Sequence, residues 1–405
     1  MSSREAFGRI VRVLRVTWLT LGVVLLLLLG FEIAYRAQAA LRRAAQGGSG
    51  NGSGLSPAFV AEATSEGRVG WRPYVYYRRL PQQGTWVNVD SMSHRRTVPA
   101  PAAGPHRSVF VFGASAVWGT ALPDSETIPS RLARAFQSHG VTDIEVVNFG
   151  ESGYVFTQEV IELMLQLRQG ARPAAVVFYN GHNDVGSTLN NRYTGVTWNE
   201  SDRARDFYLG QRLFNWRPDV GADLRAARSL AGVALGRVQL LARLRSHPVR
   251  VNHMPDEAIA DSVVRVYAGN VGVVEALAAR YGFSAWYAWM PVLDSVTKPL
   301  SARERTMFEQ SQQSPANQRY LNVYRLARAR VAGPVSEAAP GHFVDLLPVF
   351  ATDSGTAFVD DQGHTTANGS DMVARELERV IEADFAAKAC AGRPARAGSC
   401  LGGRR

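Results

Sequence analysis

SVFVFGASAVWGTALPDSETIPSRLARAFQSHGVTDIEVVN, residues 108–148, is the stretch whose reading decides the fold. Ser108 to Phe112 is a short apolar strand. Thr127 to His139 reads as a helix, because Ile128, Leu132 and Phe136 fall on one face. Ile144 to Asn148 is a strand again. Strand, helix and strand in so short a span predict a parallel β–α–β unit.

The alternation continues along the chain. Tyr154 to Gln169 reads as a helix and Ala174 to Tyr179 as a strand. Ala258 to Tyr281 is helical, Phe283 to Met290 a strand, His342 to Leu347 a fifth strand, and Thr366 to Ala387 a closing helix. The expectation is an α/β fold, a parallel sheet with helices on both faces, and no internal repeat is present. In such sheets ligands bind beyond the carboxyl ends of the strands. The residues to inspect therefore follow positions 112, 148, 179 and 347.

After the first strand comes Gly113-Ala114-Ser115-Ala116-Val117-Trp118-Gly119. A serine between strand and helix, two residues after a glycine, exposes its hydroxyl on a sharp turn; by itself the pattern is equally that of an ordinary turn. After the second comes Asn148-Phe149-Gly150-Glu151-Ser152-Gly153-Tyr154. Its glycines allow close backbone approach, either to a ligand or simply within a tight turn. After the third comes Gly181-His182-Asn183-Asp184, where Asn183 can aim an amide into the crevice or cap a helix. Near the end stands Asp360-Asp361-Gln362-Gly363-His364. An aspartate three residues before a histidine can bond one ring nitrogen and leave the other free to take a proton from serine. That favours Asp361, with Asp360, four residues away, as its rival.

Gly113-Ala-Ser115, Gly153, Gly181-His-Asn183-Asp184 and Asp361-Gln-Gly-His364 together resemble the SGNH hydrolases, also called GDSL esterases. The resemblance covers roughly residues 108–385, with a poorly matched middle section. The tetrapeptide that gives the GDSL name is altered here to Gly113-Ala114-Ser115-Ala116. The resemblance implies a three-layer α/β/α, flavodoxin-like fold and a role for each matched position. Ser115 would attack an ester carbonyl, His364 would act as base and then acid, and Asp361 would orient His364. The Ser115 amide, the Gly153 amide and the Asn183 side chain would hold the oxyanion. It implies no metal and no organic cofactor.

The chain has 405 residues, 46% of them hydrophobic, and a formal charge of +10. The basic residues are nearly all arginine, with lysine only at Lys298 and Lys388. No dense basic run lies within a folded segment and no nucleic-acid motif is present, so no nucleic-acid partner is expected. Two cysteines, Cys390 and Cys400, lack any zinc-like spacing; they either pair or remain thiols of the tail.

The N-terminus sets the compartment. Arg4, Arg9, Arg12 and Arg15 precede the apolar run from Val16 to Tyr35, and about 20 residues of helix cross a bilayer. The expected organisation is a basic cytoplasmic segment 1–15, a single-pass membrane anchor 16–35 and a flexible linker 36–56. A hydrolase domain 57–388 follows, lying outside the cytoplasm, and then a disordered tail 389–405. Ala37-Gln38-Ala39 leaves a cleaved signal peptide as the competing reading. Residues 57–107 read as an extended lead-in. An insertion, 187–257, carries Leu230, Val233, Leu240, Leu241 and Leu244 among arginines. It reads as a cap helix with a solvated basic face, or as a lid that touches an anionic membrane. Trp118 either lines the substrate site or belongs to the core.

The functional expectation is an acyl or acetyl esterase whose substrate is an ester on a cell-surface glycan or lipid. A glycan O-acyltransferase using the same residues and a non-catalytic envelope protein of the same fold are the alternatives.

Overall fold

The computed structural model describes residues 3–45, 56–64, 69–191, 193–204, 207–208 and 252–391. The chain divides into two units, one of Met1–Gly54 with Asp202–Val249 and one of Leu55–Ser201 with Arg250–Arg405. In the first unit helix α1 spans Ser3–Ala45. Its stretch Phe7–Gln38, 32 residues, is long and apolar enough to cross a membrane. Its acidic residue, Glu32, is paired one turn on with Arg36, Nε to Oε1 2.7 Å. The linker expected from residue 36 therefore starts no earlier than 46: Ala-Gln-Ala-Ala-Leu-Arg-Arg-Ala-Ala, residues 37–45, is made of strong helix formers and prolongs α1. Residues 46–55 of that linker, 209–251 of the insertion and 392–405 of the tail, including Cys400, lie outside the described residues.

The second unit is built on a five-stranded sheet. β3 (Arg107–Gly113), β4 (Ile144–Asn148), β5 (Ala175–Asn180), β6 (Ser284–Trp289) and β7 (Phe343–Asp345) lie in the order β4-β3-β5-β6-β7, every pairing parallel. Each strand falls within a residue or two of its expected position. β3 shows why this sequence gives a central strand. Phe110 and Phe112 face one side and Val109 and Val111 the other, and all four are buried. Two-sided burial is what a parallel sheet covered by helices requires.

Phe110, Phe112, Phe178 and Tyr287 pack under helices α5 (Phe156–Arg168), α7 (Asp256–Tyr281) and α9 (Pro315–Ala338). Val109, Val111, Val177 and Ala288 pack under α4 (Ile128–Ser138) and α10 (Ala367–Ala391). This is a three-layer arrangement. α4 begins where Thr127 accepts a bond from Ser130 N, with Pro129 in the first turn.

The lead-in is not simply extended. It forms helix α2 (Pro57–Thr64) and an antiparallel hairpin, β1 (Val69–Arg72) and β2 (Tyr76–Arg79). Helix α6 (His182–Asn190) follows β5, and helix α9 and the shorter α8 (Ala302–Gln312) were not anticipated from the sequence. Strand order places β3 and β5 side by side at the point where the connections reverse direction, and a crevice opens at such a point in open α/β sheets.

Candidate active site

Strand β3 delivers Ser115. A β-carbon on Gly113 would lie 2.4 Å from Val117 Cγ2 and 2.6 Å from the Tyr179 carbonyl, so only glycine fits the turn. The chain passes at once into a single helical turn, α3 (Ser115–Trp118), with Ser115 as its first residue. An amide in that position has no acceptor within its own helix.

The Ser115 hydroxyl meets the ring of His364, Oγ to Nε2 2.7 Å. The other ring nitrogen, Nδ1, lies 2.6 Å from Asp360 Oδ2. The second carboxyl oxygen, Oδ1, accepts the amides of Gln362 at 3.0 Å and His364 at 3.3 Å. An ionised carboxylate only accepts, so Nδ1 carries the hydrogen and the Nε2 lone pair faces the serine. Burial opposes the charge on Asp360. The His364 ring and the two amides outweigh it, and the carboxyl sits below the usual aspartate range.

The aspartate on His364 is therefore Asp360 and not Asp361, which corrects the reading from spacing. Val359 N donates to His364 O at 2.8 Å, Phe358 bridges to Thr365, and Gly363 takes a φ of +86°. Within this closed turn Asp360 folds back onto the ring, while Asp361 makes no hydrogen bond to His364. Burial and the neighbouring Asp360 push the Asp361 carboxyl up. A fully buried pair braces the turn from below. Lys298 Nζ lies 2.7 Å from Glu304 Oε2, and Glu304 Oε1 accepts the amides of Ala357 and Phe358.

The remaining candidates come from the loops after β4 and β5. Gly153 has a φ of +81°, a conformation that favours glycine, and its amide has no acceptor among the described residues. Asn183 is buried, and its Nδ2 donates to Tyr154 O at 2.8 Å, which joins the two loops. Asp184 joins them again, accepting Phe156 N at 3.0 Å and Gly181 N at 3.2 Å. Burial raises its pKa to about 6, against those amide bonds.

His182 sits between Gly181 and Asn183. Its Nδ1 is 2.5 Å from Tyr320 Oη. Burial first, and then the proximity of His364, lowers its pKa to about 4, so the ring is neutral near pH 7.

The lead-in clamps the loop after β4. Arg79 Nε lies 3.0 Å from Glu151 Oε1, its backbone amide 2.9 Å from Glu151 Oε2 and its Nη2 2.7 Å from Ser152 Oγ. Tyr77 Oη donates to Ser152 O at 2.7 Å. The Arg79 guanidinium lies 4.6 Å from the Trp118 ring centre. Trp118 itself is 1% exposed among Phe59, Val87 and Val89, which makes it a core residue.

Among the described residues the side chains with metal-ligand spacing are His139, Glu378 and Glu382. His139 caps the far end of α4, at the opposite end of the sheet from Ser115. A cavity of about 940 Å³ opens at the β4 edge, lined by Asp90, His94, Arg96, Glu145 and Arg172 among others; Ser115, His364 and Asp360 do not line it.

No family model and no curated protein sequence matches the chain. Solved structures do align with it. The psychrotrophic esterase EstA from Pseudoalteromonas sp. is 11% identical, with 69% of this chain and 98% of that chain covered and a TM-score of 0.35. The lipase/acylhydrolase from Enterococcus faecalis is 12% identical over 69% and 96%, with a TM-score of 0.38. Est24, a carbohydrate acetylesterase from Sinorhizobium meliloti, is 11% identical over 69% and 100%, with a TM-score of 0.34.

Proposed function

We propose that the chain is a serine ester hydrolase, with Ser115 as nucleophile, His364 as general base and acid, and Asp360 as the group that orients His364. The observation that carries this reading is the continuous contact Ser115 Oγ–His364 Nε2–Asp360, at 2.7 and 2.6 Å. His364 takes the hydroxyl proton as Ser115 attacks the ester carbonyl. The developing oxyanion is held by the Ser115 and Gly153 amides and the second N–H of the Asn183 side chain. His364 then gives its proton to the leaving alcohol. Water, deprotonated by the same ring, attacks the acyl-serine, and His364 returns that proton to Ser115 Oγ as the acid leaves.

Each oxyanion donor typically contributes about a hundredfold to a thousandfold in kcat. The basic residues at the start of α1, before the uncharged run that begins at Val16, favour the membrane topology in which the α/β unit lies outside the cytoplasm. Turnover of 4-nitrophenyl acetate by the detergent-solubilised full chain, lost in Ser115→Ala, is the test. Equal turnover by the variant refutes the assignment. Acetylated acceptor in place of free acetate, when a sugar is supplied, would make the reaction a transfer.

A further inference from the structure

The turn that carries Gly153 has two possible orientations of its central peptide, and the lead-in hairpin holds one of them. We infer that Tyr77 is a positioning residue for the oxyanion donor: its hydroxyl holds the Ser152–Gly153 peptide so that the Gly153 N–H, and not the Ser152 carbonyl, is offered to the reacting ester. The inference rests on the hydrolase reading and adds to it a residue from the lead-in.

Residues 151–154 form a β-turn, closed by Tyr154 N donating to Glu151 O at 3.1 Å. The third residue, Gly153, has a φ of +81°, and the second, Ser152, is not among the residues of positive φ. That combination is a type II turn. A type I turn differs from it by roughly a half-rotation of the central peptide, here Ser152–Gly153. Glycine tolerates the third position of either turn, with φ at about +80° or about −90°. The turn by itself therefore leaves the peptide free to flip.

Tyr77 removes that freedom. Its Oη donates to Ser152 O at 2.7 Å. A trans peptide is planar, with its C=O and N–H pointing in opposite directions. Fixing the Ser152 oxygen on Tyr77 therefore aims the Gly153 N–H away from the hairpin. The hydroxyl also lies over Gly153, where a β-carbon would be 3.0 Å from Oη. A bond accepted at the carbonyl polarises the same peptide and strengthens its N–H as a donor. In the flipped turn the Ser152 carbonyl would replace that N–H, setting an acceptor against the developing oxyanion.

The hairpin is firmly placed. Tyr77 and Arg79 stand two apart on β2 and so share a face. Both reach Ser152, Tyr77 at its carbonyl and Arg79 Nη2 at its hydroxyl, 2.7 Å away. Glu151, gripped by Arg79, donates its own amide to Gly113 O at 3.0 Å, beside the nucleophile turn. Gln158 Nε2 donates to Val75 O at 2.9 Å, and the Tyr77 and Tyr154 rings meet edge to face with centres 5.3 Å apart. Among the described residues only the Tyr77 hydroxyl bonds the oxygen of the central peptide.

The test is Tyr77→Phe in the full chain, with 4-nitrophenyl acetate as substrate. Phenylalanine keeps the ring against Tyr154 and the backbone carbonyl that accepts the Tyr154 hydroxyl, and far-ultraviolet dichroism checks the fold. kcat should fall about tenfold, the worth of one hydrogen bond. KM should change less than about twofold, because the oxyanion forms only after the ester is bound. Ser152→Ala removes the Arg79 bond from the same residue but leaves the peptide held, so it should lower kcat by a smaller factor. Unchanged kcat in Tyr77→Phe, a rise in KM alone, or an equal loss in Ser152→Ala overturns the positioning role and leaves the hydrolase standing. Gly153→Ala, whose β-carbon opposes the φ of +81°, serves if Tyr77→Phe fails to fold. It should lower kcat by about tenfold or more at constant KM, and unchanged kcat overturns the positioning role. Absence of turnover of any ester by the unmodified chain overturns both readings.

Discussion

Asp360→Asn against Asp361→Asn separates the geometry from the spacing. In the wild type Asp360 Oδ1 accepts the Gln362 and His364 amides, while Oδ2 accepts the His364 ring hydrogen. Asparagine can keep its oxygen on the amides, so the turn survives, and must then present its NH2 to Nδ1. Two donors cannot face each other, so the ring hydrogen moves to Nε2 and the lone pair that takes the Ser115 proton is lost. In a serine-protease triad the equivalent exchange lowers kcat about 10⁴-fold, roughly 5.5 kcal/mol of barrier. Asp360 is partly exposed here, with 37% of its side chain accessible, and water can carry some of its role. The expected loss is therefore about 10³-fold to 10⁴-fold in kcat. Asp361 makes no hydrogen bond to His364 or Ser115 among the described residues, so Asp361→Asn should lose at least a hundredfold less than that. The assay is steady-state hydrolysis of 4-nitrophenyl acetate, with far-ultraviolet dichroism as the check on folding. A larger loss from Asp361→Asn than from Asp360→Asn would refute the assignment of the orienting carboxylate.

Other expectations follow from the buried charges. Arg79→Ala leaves Glu151 unpaired in a site where the two side chains are 7% and 1% accessible. It should cost about 3–5 kcal/mol in urea unfolding, and a loss under 1 kcal/mol would mean that water replaces the arginine. Lys298→Met strands Glu304 under the histidine turn. It should lower both the unfolding midpoint and kcat; a lower midpoint with unchanged kcat would show that the pair does not position His364. Glu159 is fully buried, and that burial, reinforced by Asp184, holds its carboxyl well above the usual range. A carboxyl raised in the folded state binds a proton that the unfolded chain releases, so stability falls as pH rises past the unfolded value of about 4.3. Glu159→Gln should therefore gain stability over the wild type as pH goes from 5 to 8, and a difference that shrinks would contradict the buried neutral acid.

The sheet was legible in the sequence because its signal is local. Alternating phenylalanine and valine over 109–112 fixes both faces of β3, and Ile128, Leu132 and Phe136 fix the inner face of α4. α9 carries a comparable signal in Leu321, Tyr324, Ala327, Val331 and Val335, all buried. It is masked by interleaved arginines and by Pro334, which argue against a continuous helix when read alone. The lead-in was opaque for a different reason. Arg78, Arg79 and Arg95 are buried, and arginine in a sequence reads as surface. Their partners, Phe149 O, Glu151 and Asp124, lie 71, 72 and 29 residues away.

Within the candidate site, Ser115 and His364 stood out by position at strand ends. The choice between Asp360 and Asp361 did not, because it depends on how the turn closes between Val359 and His364. His182 carried no motif of its own; its hydrogen-bond partner, Tyr320, lies 138 residues further on.

Covalent capture of Ser115 tests the central claim most directly. A fluorophosphonate carried on the full chain and mapped by mass spectrometry should modify the peptide containing Ser115. Labelling should be absent in Ser115→Ala and slowed about a hundredfold or more in His364→Ala, the usual worth of a general base. An adduct on another residue, or one that forms at the same rate without His364, would contradict the account.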